Sequence, residues 1–360
     1  MNIVICGNYG VKNIGDEAIL EGLKTVIGEA LPDAKVEVMG KGRLFPFGIR
    51  SFIKAIFHPQ LWLKPYRMAR SCDVFILGGG GLLSDEEGPF VALFWTFHGL
   101  MAKWLKKPVL CVGLSVGSLH WLSKIFVKRL LRSSSLVTVR DIPSQKFLTS
   151  WGVQSHKVPD LSFWLKADLH IQEPANKYVA ISLRSYKKFD AVLNTIFVQL
   201  CNFLVKENGF NIILIPFADG QQNDVHILSK LCAQPHLSEH IKLIVYKNII
   251  NDLLQVIIGA EFVIGTRFHA GILSIISGTP VIPISYMQKV KDFWSEFPEV
   301  KVFDLEKLNF AELKSAVQNI ISNRKHHVSV MEGIRKKLEK EAEKSKNQFV
   351  AILKMMKGKC

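Results

Sequence analysis

The sequence has no C-x-x-C pair, no G-x-G-x-x-G or Gly-Lys-Ser/Thr loop, no Asp-x-Asp, no H-E-x-x-H and no run of about 18 uncharged apolar residues. Each gap removes a class of protein. The six cysteines (Cys6, Cys72, Cys111, Cys201, Cys232, Cys360) are scattered, mostly through apolar stretches, and read as reduced thiols rather than a disulfide framework or a zinc site. His326-His327 is an isolated pair in a polar stretch, so no metal constellation is visible. The nearest approach to a spanning segment, Phe90 to Met101, has Lys103 just beyond it, and any membrane contact is expected to be peripheral. The opening MNIVICGNYG enters a strand and a glycine turn at once, without the charged region and long apolar core of a signal peptide. The expectation is a cytoplasmic protein. Low-complexity segments and short internal repeats are absent.

Acidic residues are the other scarcity. The chain of 360 residues carries 46 Lys or Arg against 31 Asp or Glu, a formal net charge of +15, with 48% hydrophobic and 21% charged residues. That composition is globular and long enough for two separate cores. Between Lys41 and Arg140 there are fifteen cations and four acids, and none of the acids falls between Glu37 and Asp73 or between Glu87 and Asp141. The first gap, LFPFGIRSFIKAIFHPQLWLKPYRMAR, mixes cations with Phe and Trp. Surfaces of that kind bind anionic lipid or nucleic acid. No nucleic-acid motif accompanies it, so an anionic membrane at the inner face of the plasma membrane is the preferred partner, with a merely solvated basic face as the bland alternative.

In chain order, Ile3–Cys6 is a short strand, and GNYGVKNIGDEAIL turns into a helix whose first turn holds Asp16 and Glu17. Strands follow near Val36–Met39, Val74–Leu77, Val109–Gly113 and Leu136–Val139, alternating with helices, and KVPDLSF, with Asp160, is expected to give a last strand and loop. Gly78 to Gly81 is expected to end the third strand. Gly79 and Gly80 would let backbone approach either a ligand or a neighbouring helix. Ala167–Asn176 reads as a linker, after which strands are expected near Val179–Leu183, Ile212–Pro216, Lys242–Tyr246, Phe262–Gly265 and Val281–Ser285. Loops at the carboxyl ends of parallel strands are where such sheets bind ligands. The expected fold is α/β with two Rossmann-like domains, residues 1–166 and 177–310, followed by C-terminal helices in 311–360 that pack back on them.

The stretch FVIGTRFHAGILSIISGTPVIPISY, from Phe262 to Tyr286, is the focus of the second domain. Thr266 is a candidate N-cap for a helix from Arg267 to about Ser277-Gly278, with Arg267 and His269 in its first turn. Cations are poorly placed at a helix N-terminus, which already carries about half a positive charge. Their presence therefore points to a bound anion such as phosphate or carboxylate. The bland alternative is an Arg paired with an Asp or Glu and a His capping a loop.

GNYGVKNIGDEAIL, ILGGGGLLSD, VGLSVGS, VTVRDIPS, VPDLSF, ISLR and GTRFHAGILSIISGTPVIPISY, seven motifs in order from residue 2 to about 290, together resemble the polysaccharide pyruvyl transferases. The resemblance implies a GT-B-like architecture, two domains facing across a cleft. It also implies an enzyme that moves pyruvate from phosphoenolpyruvate onto a sugar of a cell-surface polysaccharide or its polyprenyl-linked precursor, forming a ketal. Arg267 and His269 would serve the phosphoenolpyruvate, and Arg184, at the end of the first strand of the second domain, would be a second anion clamp. Where the family often has Leu between the Arg and the His, this chain has Phe268.

Phosphoenolpyruvate carries about three negative charges, so its site needs cations and N–H donors. His269 suits the acid or phosphate-partner role because its charge changes near neutral pH. Asp16 or Glu17 could take the acceptor proton, although acids at a helix N-terminus need no catalytic reason. Asn13, Thr266, Gly79 and Gly80 complete the expected substrate contacts. No cofactor is expected. Two alternatives remain open at this level: a GT-B nucleotide-sugar glycosyltransferase, and a non-catalytic membrane-associated assembly protein.

Overall fold

The computed structural model describes residues 1–40, 60–86, 88–166, 176–186, 188–218, 224–244 and 250–358. Arg50, Lys54 and most of the basic-aromatic stretch before Gln60 lie outside these residues, as do most of the expected linker and Tyr246. The chain divides into two compact units. The first comprises Met1–Val11, Asp16–Lys166 and Glu339–Cys360, and the second Lys12–Gly15 and Ala167–Leu338.

In the first unit six strands form one parallel sheet in the order β2-β1-β3-β4-β5-β6: β1 Asn2–Gly7, β2 Lys35–Gly40, β3 Val74–Leu83, β4 Val109–Val116, β5 Leu136–Val139 and β6 His156–Lys157. A parallel sheet is covered on both faces, which is why its inner strands read as unbroken apolar runs; every residue of β4 is buried. One face carries the helices Gln60–Ser71, Val91–Trp104, Trp121–Ser133 and Ile142–Ser150 over a core that includes Phe75, Leu77, Trp95, Leu130 and Trp151. The other carries the helix Ile14–Ala30 and the end of the last helix, Arg324–Lys357. There Phe349 and Leu353 join Ile19, Leu23 and Trp164, and the Trp164 indole N–H donates to the Ala342 carbonyl at 3.2 Å.

Two local outcomes differ from the expectation. Gly78 to Gly81 does not end the third strand; β3 runs through all four glycines to Leu83, with a register shift against β4 between Gly80 and Leu83. Gly79 has φ +58°, and a Cβ there would lie 2.1 Å from Ile19 Cγ2, so the glycine admits the helix Ile14–Ala30 onto the sheet. The last strand of this sheet, expected at KVPDLSF, is the two-residue edge strand β6, which ends at Lys157, and the rest of the motif is loop and a short helical turn.

The second unit is another six-stranded parallel sheet, ordered β12-β11-β10-β7-β8-β9: β7 Tyr178–Ser182, β8 Asn211–Leu214, β9 Ile241–Leu243, β10 Val263–Gly265, β11 Val281–Ser285 and β12 Phe303–Asp304. On one face Phe197, Leu200 and Leu228 pack with Leu313 and Val317 of the helix Phe310–Ser322. The helix Phe268–Ser277 is buried on most of its circumference.

Among the described residues, His98 on the helix Val91–Trp104 is a titratable side chain that burial drives far from its ordinary range. Its ring lies between Phe94, Trp95 and Trp62, and Nδ1 donates to the Phe94 carbonyl at 2.9 Å. Burial pushes its pKa down to about 4, against the opposing pull of that hydrogen bond. The unfolded chain takes up the proton first, near its ordinary value of about 6.5. Stability from a neutral His98 is therefore complete above that pH and falls as the pH drops toward about 4. The expected loss across this window is on the order of 3 kcal/mol, and His98→Leu is expected to remove it. Unfolding of both proteins at pH 7 and pH 4.5 measures the difference; equal acid sensitivity would show that His98 is not responsible.

Candidate active site

In the second sheet the chain leaves β7 toward β8 on one side and later returns to β10 on the other, so β7 and β10 flank the point where strand order reverses. Ligands of open α/β sheets bind at the carboxyl ends of the strands there. Leu183-Arg184 follows β7 and Thr266-Arg267 follows β10. The Arg184 backbone N–H donates to Thr266 Oγ1 at 2.6 Å, joining the two strand ends. The Arg184 guanidinium lies 4.8 Å above the Tyr286 ring, just past β11, and donates to the Tyr286 hydroxyl at 2.5 Å. Arg184 stays half-buried while Thr266 is buried.

Thr266 is not the N-cap. Its hydroxyl is taken by Arg184, Arg267 occupies the cap position with extended backbone, and the helix begins at Phe268. The buried Arg267 side chain meets Asp224 in a two-pronged pair, Nε to Oδ2 at 2.9 Å and Nη2 to Oδ1 at 2.5 Å. The Arg–acid pairing held open as the bland alternative is thus present. The same Oδ2 accepts the backbone N–H groups of Phe217 (2.9 Å) and Ala218 (3.0 Å), which follow β8. Burial pushes the Asp224 carboxyl above its ordinary range, and Arg267 and the two N–H groups oppose that rise.

Four residues from the start of the chain complete this unit. Ile14 donates its N–H to the Phe217 carbonyl at 2.9 Å, Asn13 bridges antiparallel to Ala218, and Asn13 Oδ1 accepts the Gly15 N–H at 3.2 Å. A Cβ on Gly15 would fall 2.1 Å from His269 Nδ1, so only glycine lets the imidazole lie against that backbone. The half-buried His269 ring also packs edge-on to Phe268 at 5.3 Å. The structure therefore brings together Asn13, Arg184, Thr266, Arg267 and His269, with Asp224 and Tyr286 as members that sequence reasoning missed. Asp224 stands 43 residues from Arg267. At the start of the helix Asp224–Cys232 it has the look of an ordinary helix-dipole acid, so nothing local marks it.

The remaining expected residues belong to the first unit. Asp16 accepts from the Asn8 side-chain amide at 2.7 Å, Glu17 from the Gly10 N–H at 2.7 Å, and the buried Tyr9 hydroxyl donates to the Gly78 carbonyl at 2.7 Å. Burial, followed by the Asp16 charge, pushes the Tyr9 hydroxyl well above its ordinary range. A Cβ on Gly80 would sit 3.4 Å from Asp16 Oδ1. These groups lie past the carboxyl end of β1, beside the glycines of β3, where strand order reverses in the first sheet. Both acids have local hydrogen-bonding work, which fits the helix-terminus alternative. Three further motifs are joined by one buried network: Ser115 donates to Asp141 (2.6 Å), Arg140 Nε donates to Ser115 Oγ (2.8 Å), and Arg140 Nη1 donates to Asp160 (2.5 Å). It ties VGLSVGS, VTVRDIPS and VPDLSF together as structure.

Residues 13–288 match a family described as polysaccharide pyruvyl transferase. The chain is 24% identical, over 90% of its length and 92% of the relative's, to the amylovoran biosynthesis protein AmsJ of Erwinia amylovora. In fold it is similar to the UDP-GlcNAc 2-epimerase of Neisseria meningitidis bound to UDP-GlcNAc, with a TM-score of 0.61 at 11% identity over 98% of this chain and 99% of that one. It is also similar to MurG of Acinetobacter baumannii, with a TM-score of 0.55 at 14% identity over 98% and 99%. At such identities the likeness shows the fold alone, which is of the GT-B class.

Asp224→Asn keeps the shape of the side chain and removes the countercharge of a buried guanidinium. It is expected to cost about 3–5 kcal/mol, the range for breaking a buried pair from one side. Adding Arg267→Gln is expected to recover part of that loss, because no unpaired charge is left. Urea unfolding of the two variants reads both values. A loss below about 1 kcal/mol in Asp224→Asn would show that the charge pair does not hold the loop.

Proposed function

Because this chain belongs to the polysaccharide pyruvyl transferase family, we propose that it transfers pyruvate from phosphoenolpyruvate to two hydroxyls of a sugar in a polysaccharide or its lipid-linked precursor. The observation that carries this reading is the convergence of Arg184, buried Arg267 and the N-terminus of the helix Phe268–Ser277 at the strand-order reversal between β7 and β10. An anion with about three charges suits that cluster of positive groups better than a neutral sugar does. The naming of AmsJ for amylovoran biosynthesis supports a biosynthetic role on a glycan.

In this reading the phosphate and carboxylate of the donor lie against Arg184 and the first-turn N–H groups. Arg267, its charge balanced by Asp224, holds the loop that presents those N–H groups. His269 gives a proton to the methylene carbon, which becomes the methyl group. One sugar hydroxyl attacks the carbon bearing phosphate and loses its proton to a base, for which Asp16 and Glu17 are the candidates. The C–O bond to phosphate then breaks, phosphate departs, and the second hydroxyl adds to the same carbon to close the ketal, its proton leaving with phosphate. The acceptor side is assigned to the first unit and the donor side to the second. The competing reading, a nucleotide-sugar transferase on the same fold, draws its support from neighbours such as the Neisseria epimerase bound to UDP-GlcNAc.

Thermal unfolding with phosphoenolpyruvate, UDP, GDP and CMP separates the two, because a ligand that binds the native state raises its apparent stability. Phosphoenolpyruvate alone is expected to raise the midpoint; a rise with a nucleotide and none with phosphoenolpyruvate overturns the reading. Incubation with phosphoenolpyruvate and lipid-linked glycans is then expected to give a pyruvate-sized mass gain with release of phosphate. Arg184→Ala is expected to weaken donor binding by roughly ten- to hundredfold, the range of about 1.5–3 kcal/mol for a hydrogen bond to a charged group. His269→Gln is expected to keep binding and lose turnover, since an amide cannot deliver a proton. Full turnover in that variant removes His269 from the acid role.

A further inference from the structure

Among the described residues nine large apolar side chains are exposed, and six of them, Leu63, Phe97, Trp104, Trp121, Ile125 and Ile142, lie on the four helices that cover one face of the first sheet. The same four helices carry nine Lys or Arg and not one Asp or Glu. By contrast, the helix Ile14–Ala30 on the opposite face holds Asp16, Glu17, Glu21 and Glu29 against a lone Lys24. The combination is confined to one layer, and helical periodicity aims it outward. Phe97 and Trp104 are two turns apart on Val91–Trp104. On Trp121–Ser133 the positions of Trp121, Ile125, Arg129 and Arg132 form a single outer stripe. Leu63, Arg67 and Arg70 do the same on Gln60–Ser71.

The middle helix joins the other two. Phe97 meets Trp62 of the preceding helix with ring centroids 4.9 Å apart, and a Cβ on Gly99 would lie 2.8 Å from Leu130 of the following one. The exposed groups of these three helices thus share one continuous support. Trp104 and Trp121 are 75% and 74% exposed, a costly placement in water for the largest apolar side chains.

We infer that this helical layer is a docking surface for an anionic lipid bilayer. Trp is the side chain that prefers the headgroup level, and Lys and Arg beside it can lay their stems along apolar surface while the charges meet lipid phosphates. The core of a protein partner's interface would instead be depleted in Lys, whereas these four helices carry nine cations and no acid. No described helix is long and apolar enough to cross a membrane, so the attachment is peripheral. This inference does not depend on the proposed reaction, because it is read out by binding alone.

The test is co-sedimentation of the full chain with vesicles of phosphatidylcholine and of phosphatidylcholine mixed with phosphatidylglycerol. Binding to the anionic vesicles only, weakening with salt, is expected. Reversing four exposed cations, Lys64→Glu, Arg67→Glu, Lys124→Glu and Arg129→Glu, is expected to lower partitioning at least a hundredfold. Trp104→Ser with Trp121→Ser is expected to lower it tenfold or more while leaving the unfolding midpoint unchanged. Reversal of Lys340 and Lys344, exposed on the last helix, is the control and is expected to have little effect. Absence of vesicle binding, equal binding to neutral vesicles, or an equal loss in the control overturns the inference. Capture of heparin or single-stranded RNA in place of vesicles, with the same sensitivity to reversal, would assign the surface to a soluble polyanion and overturn it as well.

Discussion

The second unit depends on one buried ion pair. Arg267 and Asp224 are both taken out of water, and each such transfer costs several kcal/mol unless geometry and further hydrogen bonds compensate. Compensation is visible: the guanidinium docks edge-on, and the backbone N–H groups of Phe217 and Ala218 fill the remaining capacity of one carboxylate oxygen. The pair therefore fixes the ends of β8 and β10 together, and Phe217 and Ala218 in turn hold Asn13 and Ile14. A rigid cation at the strand-order reversal is the outcome. A lysine there could supply charge but not the planar two-pronged docking that gives the loop its shape.

Both units place their polar, motif-bearing residues at the same topological position, and the reason is physical rather than coincidental. At the strand-order reversal neighbouring connections leave in opposite directions, which opens space above the carboxyl ends of two strands. In the first unit that space receives Asn8, Tyr9, Asp16 and Gly80, and in the second Arg184, Thr266, Arg267 and His269. Farther along the first sheet the ends of β4 and β5 are tied by the Ser115–Arg140–Asp160 network.

The strand positions were legible because a parallel sheet buried on both faces writes continuous apolar runs into the chain, as Val109–Val116 does. Val74–Leu83 was read short because four glycines look like a turn when the helix that packs on them is unseen. Thr266 was read as a cap because short polar residues before an apolar run usually are; its hydroxyl instead serves a neighbouring strand end 82 residues away. Asp224 and Tyr286 carried no local mark, since their roles come from long-range contact. The charge bias of the first unit was plain, but the outward direction of Trp104 and Trp121 was not, because it depends on which face of each helix meets the sheet. The boundary between the units, falling inside the last helix at Leu338–Glu339, had no compositional signal at all.

That boundary has a consequence for the order in which the chain can fold. Most of the first unit precedes the second in sequence, yet part of its core, Ala342, Phe349 and Leu353, is synthesised after the second unit. While the ribosome is still making the second unit, the sheet face that bears Ile3 and Ile5, and Trp164 beside it, have no cover from that helix, and apolar surface left open in this way is prone to aggregate. The unit's final packing is thus a long-range contact in sequence, and loop-closure entropy over nearly half the chain sets against it. The second unit, apart from the four residues Lys12–Gly15, is continuous and waits for no later segment. Its closure is expected to precede completion of the unit that stands before it in the sequence.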